Sequence, residues 1–439
     1  MTESEFFLIG EVRFIGATRN IVLEHLEQLR RRLGPHCSLS ANSQVVILAV
    51  AFGFFFAIGS TWSASANGDY AKPTAMLFSL MMVLGGLGHF LRELTWRTQV
   101  LDHWVWMWLG LIGLSTVFNA PHALWNVLHA VWFCAALWLV WTVVADLIGN
   151  NVLTRATLAD ALLLGSLFPV WTGIQSWWLN SRRDSGFSTL DNGNYYATFL
   201  EFLIPLAWGR WKVSRNPIYL PLLGGLIVGA IASESRGLVI AMGSLLLFFD
   251  RSRRWIYILL GVPAVALLAY LRPHSVWERL PIYQHAWNEF LSSPILGTGP
   301  FTFRFSMAHL NSLQAHNLVM QTASELGALG VIFLGCQILW VWKVFRRIQD
   351  PMQMAWATSV VMTCAHQMVD VTWINPGMSL LMVLSITAAV EPASASDRPP
   401  RKFQMSYTVL VIAIAITLYV FAWRNGGVHQ DTLTGVVGW

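Results

Sequence analysis

His316 opens an apolar run, and Asn317, Gln321 and Glu325 follow it at intervals of four. That interval places the three on one face of a helix. A histidine titrates near neutrality and can take a proton from a hydroxyl. Polar groups along an otherwise apolar helix face a bundle interior or a water-filled cavity. Two arginine elements precede this one. Ser233-Glu234-Ser235-Arg236-Gly237 lies at the junction of two apolar runs, and Glu278-Arg279-Leu280 leads through Tyr283 and Trp287 to the turn Ser293-Pro294-Ile295-Leu296-Gly297-Thr298-Gly299. A guanidinium fork matches phosphate oxygens two at a time and keeps its charge at any relevant pH. Gly237 lets a ligand approach the backbone closely, near a helix start that favours anions. The chemistry these types permit is removal of a proton from a hydroxyl beside a bound anion. Each also has a plainer use: a histidine at a membrane interface serves as an anchor, and Glu234 is a ready partner for Arg236. His274, His285 and His309 lack a comparable polar setting.

The elements that must hold these residues are apolar helices. Of 439 residues 55% are hydrophobic and 12% charged, against about 25% charged in soluble domains. Mean hydropathy is +0.53, and the 23 tryptophans suit many segment ends at headgroup level. Runs long enough to cross a bilayer begin near Val45, Ala75, Trp104, Leu124, Leu158, Tyr195, Ile218, Leu238, Trp255, Leu318, Met354, Met378 and Tyr407. They predict an all-α polytopic membrane protein of about 12 to 13 spans. Residues 1–43 read as a cytoplasmic segment without a cleavable signal, 44–271 as spans one to nine, 272–317 as an outer helical loop, and 318–439 as the last spans and tail. The net charge of +5 is scattered over short loops, which fits a topology signal better than a nucleic-acid patch. Cys37, Cys134, Cys336 and Cys364 form no CxxC pair, so neither a disulfide framework nor a zinc site is expected.

Basic loops mark the cytoplasmic side. Arg30–Arg32, Arg92 with Arg97, Arg155, Arg210 with Lys212 and Arg215, Arg251 with Arg253 and Arg254, Lys343 with Arg346 and Arg347, and Arg398 with Arg401 and Lys402 all fall there under strict alternation. Arg182, Arg183, Arg236, Arg272, Arg279 and Arg304 fall on the other side, against the orientation signal. They serve either an anionic ligand or headgroups and partners such as Asp184 and Glu278. The stretch 272–317 is too long for a simple connector. Apolar spacing predicts a helix over 275–291, a turn over 294–303 and a second helix over 305–313, together a cap over the membrane rim. The outer carboxylates Asp69, Asp184, Asp191, Glu234, Glu278, Glu289 and Asp370 are scattered and make no DxD pair, so no magnesium site of the usual carboxylate kind is expected.

The string His316-Asn317 with Gln321, Glu325 and Gly327 resembles the "HN…Q…E.G" signature of the bacterial O-antigen ligase and polymerase superfamily. Ser235-Arg236-Gly237 is similar to its "SRG" element, and Arg279 with Pro294-Ile295-Leu296-Gly297-Thr298-Gly299 is similar to its "R…PllGxG" element. Asn194 stands where many members carry an asparagine, and Tyr283 where many carry a tryptophan. The likeness runs from about Asn194 to Gly330, under a third of the chain.

The resemblance implies a GT-C-like, inverting glycosyltransferase without metal or other cofactor, in the bacterial inner membrane with its site on the periplasmic side. It implies His316, Arg236 and Arg279 as catalytic residues, with His316 the general base and the arginines on the diphosphate. Asn317, Gln321, Asn194, Arg182 and Arg183 are expected to bind substrate. The donor implied is a glycan on undecaprenyl diphosphate and the acceptor the lipid A-core oligosaccharide, among membrane lipids and with no nucleic acid. O-antigen polymerases and protein O-oligosaccharyltransferases share the donor half of this pattern. A lipid-linked glycan transporter is the non-enzymatic alternative, although the charged residues gather at one face rather than at midplane.

Overall fold

The computed structural model describes residues 41–54, 100–119, 141, 144–145, 147–149, 153–179, 188–190, 192–249, 279–300, 302–303, 314–372 and 376–390. The expected spans near Ala75, Leu124, Trp255 and Tyr407, the helix over 305–313, and Arg182 and Arg183 lie outside them.

Among the described residues the structure is helical and contains no strand. In chain order the helices are α1 (Ala41–Phe54), α2 (Val100–Asn119), α3 (Arg155–Gly165), α4 (Leu167–Leu179), α5 (Gly193–Ser214), α6 (Tyr219–Ala232), α7 (Arg236–Phe249), α8 (Arg279–Ser292), α9 (Leu318–Phe345), α10 (Pro351–His366) and α11 (Pro376–Ala389), with one 3₁₀ turn at Ser188–Leu190. Their starts are written in the sequence. The Asn192 side chain accepts from Asn194 N and Tyr195 N to cap α5. Asn317 caps α9 through Met320 N, and Asp350 caps α10 through Gln353 N with Pro351 following at once. Each supplies an oxygen to amides that have no partner within the helix.

Two groups of helices result. In the larger, α5 packs against α3, α6, α7, α10 and α11, while α1 lies on α3 and α4 on α6. Its core joins Leu158, Leu162, Tyr196, Phe199, Phe202, Leu203, Trp356 and Leu381, all fully buried or nearly so. One end of this group is tied by one carboxylate: Asp160 Oδ1 accepts from Arg210 Nε at 2.6 Å and from Tyr219 OH at 2.7 Å, and Asp160 Oδ2 from Arg210 Nη2 at 2.8 Å. In the smaller group α9 packs against α8 and α2. Ile282 and Ala286 of α8 bury against Phe303, Ala315 and Met320.

Two helical stretches, Arg155–Leu179 with 25 residues and Leu318–Phe345 with 28, are long and apolar enough to cross a membrane. The first is interrupted by a single turn residue, Ser166, which ends α3 just before Pro169. The helix expected over 275–291 is described from Arg279 to Ser292.

Candidate active site

The two helix groups meet where the 314–318 segment lies against the turn after α10. Leu318 N donates to Gln367 O at 2.9 Å, and Asn317 Nδ2 to Met368 O at 2.7 Å. Inside that turn Gln367 holds its own loop, accepting from Thr372 N and donating to Thr372 Oγ1. The seam is therefore stitched by backbone and amide groups, which fixes the residues around it.

Asp370 lies at its centre. Oδ1 is 2.9 Å from His316 Nδ1 and also accepts from Val371 N at 2.9 Å. Oδ2 accepts from Asn194 Nδ2 and stands 3.7 Å from Arg279 Nη2. Arg279 Nη1 donates to Val369 O at 2.5 Å. Asn194 in turn accepts from Ser235 Oγ at 2.8 Å, next to Arg236, the first residue of α7. Residues far apart in the chain (Asn194, Arg279 and His316) thus converge on one carboxylate, with Ser235 holding Asn194.

Burial alone would raise the Asp370 carboxyl. The hydrogen bond and charge of His316 oppose this, followed by the charges of Arg279 and His366, and together they hold it below the ordinary carboxylate range. It is therefore ionised at neutral pH and only accepts, so Nδ1 of His316 must carry the proton. Whenever the imidazole is uncharged, its lone pair then lies on Nε2. Exposure separates the roles: the Asp370 side chain is 4% exposed, His316 24% and Arg279 29%. The carboxylate is sealed, while imidazole and guanidinium remain open enough to touch a ligand.

His316 adopts a left-handed backbone, with φ of 50°. Glu234, before α7, has the same value, and its carboxylate accepts from Trp177 Nε1 at 3.2 Å. Non-glycine residues rarely occupy this region, and they persist where surrounding bonds over-determine them. Both helices that carry the site therefore begin immediately after a sharp, restrained reversal.

The glycine-rich turn after α8 completes the framework. α9 is broken at Gly327, whose φ and ψ are 66° and −163°. The break frees carbonyls of the first half, and Thr298 N and Gly299 N take those of Ser324 and Glu325 at 2.9 and 3.0 Å. In return Ala328 N and Leu329 N donate to Pro294 O and Ile295 O at 2.8 and 3.3 Å. Backbones approach so closely that a Cβ on Gly327 would lie 2.4 Å from the Ile295 carbonyl, and one on Gly297 2.2 Å from Glu325 C. α2 braces the same turn: Ser115 Oγ donates to Leu296 O and Asn119 Nδ2 to Gly297 O.

Of the expected site residues, His316, Arg279 and Asn194 meet on Asp370, and Arg236 begins the helix beside Ser235. Asn317 and Gln321 share the expected face, but their amides are occupied. Asn317 caps α9 and holds Met368 O, while Gln321 accepts from Ala315 N and donates to Glu325 Oε1 at 2.7 Å. They hold the site's shape. Sequence reasoning placed Asp370 among the outer carboxylates and its short loop among the segments that stand out, but gave it no role in the site. Nor did it see the buried contact between Glu201 and His366, whose Oε1 and Nδ1 are 2.6 Å apart. Each stands within or between apolar runs, and that placement was the available signal. Among the described residues no three His, Cys, Asp or Glu side chains gather as a metal site would need.

No protein-family model matches the chain, and no curated protein matches it.

Proposed function

We propose that this chain is a membrane glycosyltransferase of the O-antigen ligase kind, moving a glycan from undecaprenyl diphosphate to a hydroxyl of the lipid A-core oligosaccharide at the periplasmic face. The observation that carries the reading is that a partly open imidazole and a partly open guanidinium share one sealed carboxylate. In the proposed step His316 Nε2 takes the proton of the acceptor hydroxyl. The hydroxyl oxygen bonds to the anomeric carbon from the face opposite the diphosphate, so the centre inverts. The anomeric C–O bond breaks, and its electron pair stays on the departing undecaprenyl diphosphate. Arg279 and Arg236 match the charge that develops there, the role that preorganised donors fill in other transfer reactions. Asp370 holds the imidazole in the tautomer that makes Nε2 the base, as a buried carboxylate does in hydrolytic triads.

The membrane setting rests on composition and on helix surfaces. Phe168, Trp171, Trp178 and Leu179 of α4 and Ile332, Leu339 and Trp342 of α9 are apolar and exposed, as lipid-facing side chains are. The shorter apolar helices such as Tyr219–Ala232 and Gly377–Ala389 belong to the same polytopic, GT-C-like bundle in this reading. Both substrates being lipid-held, the protein need only align them.

Complementation of an O-antigen ligase deletion strain tests the proposal, with lipopolysaccharide read on a gel. Wild type is expected to restore the long glycan ladder on lipid A-core, and His316→Ala at equal expression to leave it absent. Failure of wild type while lipid-linked polymer is already long refutes this acceptor, and transfer to a second lipid-linked repeat or to a protein serine or threonine is then measured. The purified protein is expected to work in excess chelator; a requirement for added Mg²⁺ rules out arginine-only charge matching. No transfer to any acceptor, with movement of the lipid-linked glycan across the bilayer, returns the reading to a transporter.

A further inference from the structure

Glu201 and His366 form a second carboxylate–imidazole contact behind the first. Both side chains are fully buried, with Glu201 Oε1 2.6 Å from His366 Nδ1. Among the described residues, neither Glu201 Oε2 nor His366 Nε2 has a hydrogen-bond partner. A sealed pair with two unmet polar atoms is a poor stabilising device, since apolar side chains of the same volume do as well or better. Its placement supplies another reason. His366 is the last residue of α10, and its carbonyl accepts from Val369 N at 2.9 Å and Asp370 N at 3.0 Å, shaping the turn that presents Asp370. Its ring is seated on Gly237, directly after Arg236, so closely that a Cβ there would lie 2.2 Å from Nε2. Thr198 Oγ1, 3.4 Å from His366 Nδ1, donates to Thr372 Oγ1 on the far side of the same turn.

We infer that Glu201 and His366 are positioning residues for the proposed glycosyl transfer: the imidazole, held by Glu201 and seated on Gly237, keeps the start of α7 and the 367–370 turn in one register, so that Asp370 is presented to His316. The inference rests on the transfer reading and names residues that touch neither substrate. The charged groups acting on His366 are Glu201 from α5, Asp370 from the turn and Arg279 from α8, while α7 contributes the Gly237 backbone. The His366 charge is one of those that keep Asp370 ionised. Without the Glu201 carboxylate, a charged imidazole in a sealed apolar site is too costly to persist. Asp370 then loses one of its supports and accepts a proton at higher pH.

The test is the pH profile of kcat for transfer by the full-length protein, comparing wild type, Glu201→Gln and Glu201→Asp. Glu201→Gln keeps the volume and is expected to lower kcat roughly ten- to a hundredfold, the scale of small misplacements, and to move the acid limb to higher pH. Glu201→Asp, which keeps the charge, is expected to restore the limb. A structural role alone would lower thermal stability and leave the limb in place. Should Glu201→Gln fail to accumulate, Gly237→Ala reads the same contact by pushing the ring off its seat. Superimposable profiles and equal kcat overturn the inference while leaving the function intact. A wild type with no transfer activity overturns the function, and the inference with it.

Discussion

Replacing Asp370 by asparagine tests the site most directly, because the carboxylate accepts on both oxygens. Oδ1 serves His316 Nδ1 and Val371 N, and Oδ2 serves Asn194 Nδ2 beside the Arg279 guanidinium. An amide has one oxygen and one NH₂. With its NH₂ toward His316, Nδ1 must accept, the imidazole proton moves to Nε2, and the base is lost. With its NH₂ toward Asn194 and Arg279, donor meets donor and the anion-binding side is disturbed. A wrong tautomer costs about 10³- to 10⁴-fold, or about 4 to 5.5 kcal/mol at about 1.4 kcal/mol per decade. The assay is kcat for transfer in membranes matched for protein amount, with the donor KM measured alongside. A variant that folds normally and retains a third or more of wild-type kcat refutes the orienting role of Asp370. The same residue gives a pH signature in stability. Its folded-state pKa is depressed, so its contribution is present above the unfolded value of about 3.9 and is lost as pH falls through the folded value. The Tm difference between wild type and Asp370→Asn should accordingly vanish in strong acid and be full near neutrality.

Three further outcomes are expected. Arg279→Lys keeps charge but not the fork that serves Val369 O and Asp370 together, so kcat/KM for the donor should fall tenfold or more, read as donor dependence of transfer. Gly327→Ala forces a side chain into a left-handed position and onto the Ile295 carbonyl, at a cost of more than about 2 kcal/mol. Gly335→Ala in the same helix meets nothing within 4 Å among the described residues and should stabilise by about 0.5 to 1 kcal/mol; thermal melts separate the two. Asp160→Asn breaks the tie among α3, α5 and α6 at the end of α5 away from the site. It should lower stability by about 1 to 3 kcal/mol while kcat per folded molecule stays unchanged.

The helix starts near Tyr195, Leu318 and Met354 were legible as the beginnings of apolar runs, whereas the caps at Asn192, Asn317 and Asp350 came from the structure. The polar face of α9 was legible because a four-residue interval survives folding unchanged. Asp370 was not, because its meaning depends on partners lying 176, 91 and 54 positions away in sequence. Glu201 sits inside an apolar run, where spacing cannot tell a lipid-facing carboxylate from one turned inward to a histidine 165 residues on. The break in α9 was hidden too. Gly327 was noted as part of a string, but a glycine in a helix shows its backbone angle only when another segment arrives to use the freed carbonyls.

That exchange of bonds between α9 and the 294–299 turn means that α8 and its turn are spliced into a neighbouring helix. Lifting the turn would strand Ser324 O, Glu325 O, Ala328 N and Leu329 N at once. α8 and its turn therefore cannot swing away as a hinged door without breaking the helix they join. It also sets the unit of exchange for engineering. A graft across this region must carry α8, the turn and both halves of α9 together, because a boundary drawn inside that block cuts a shared backbone ladder.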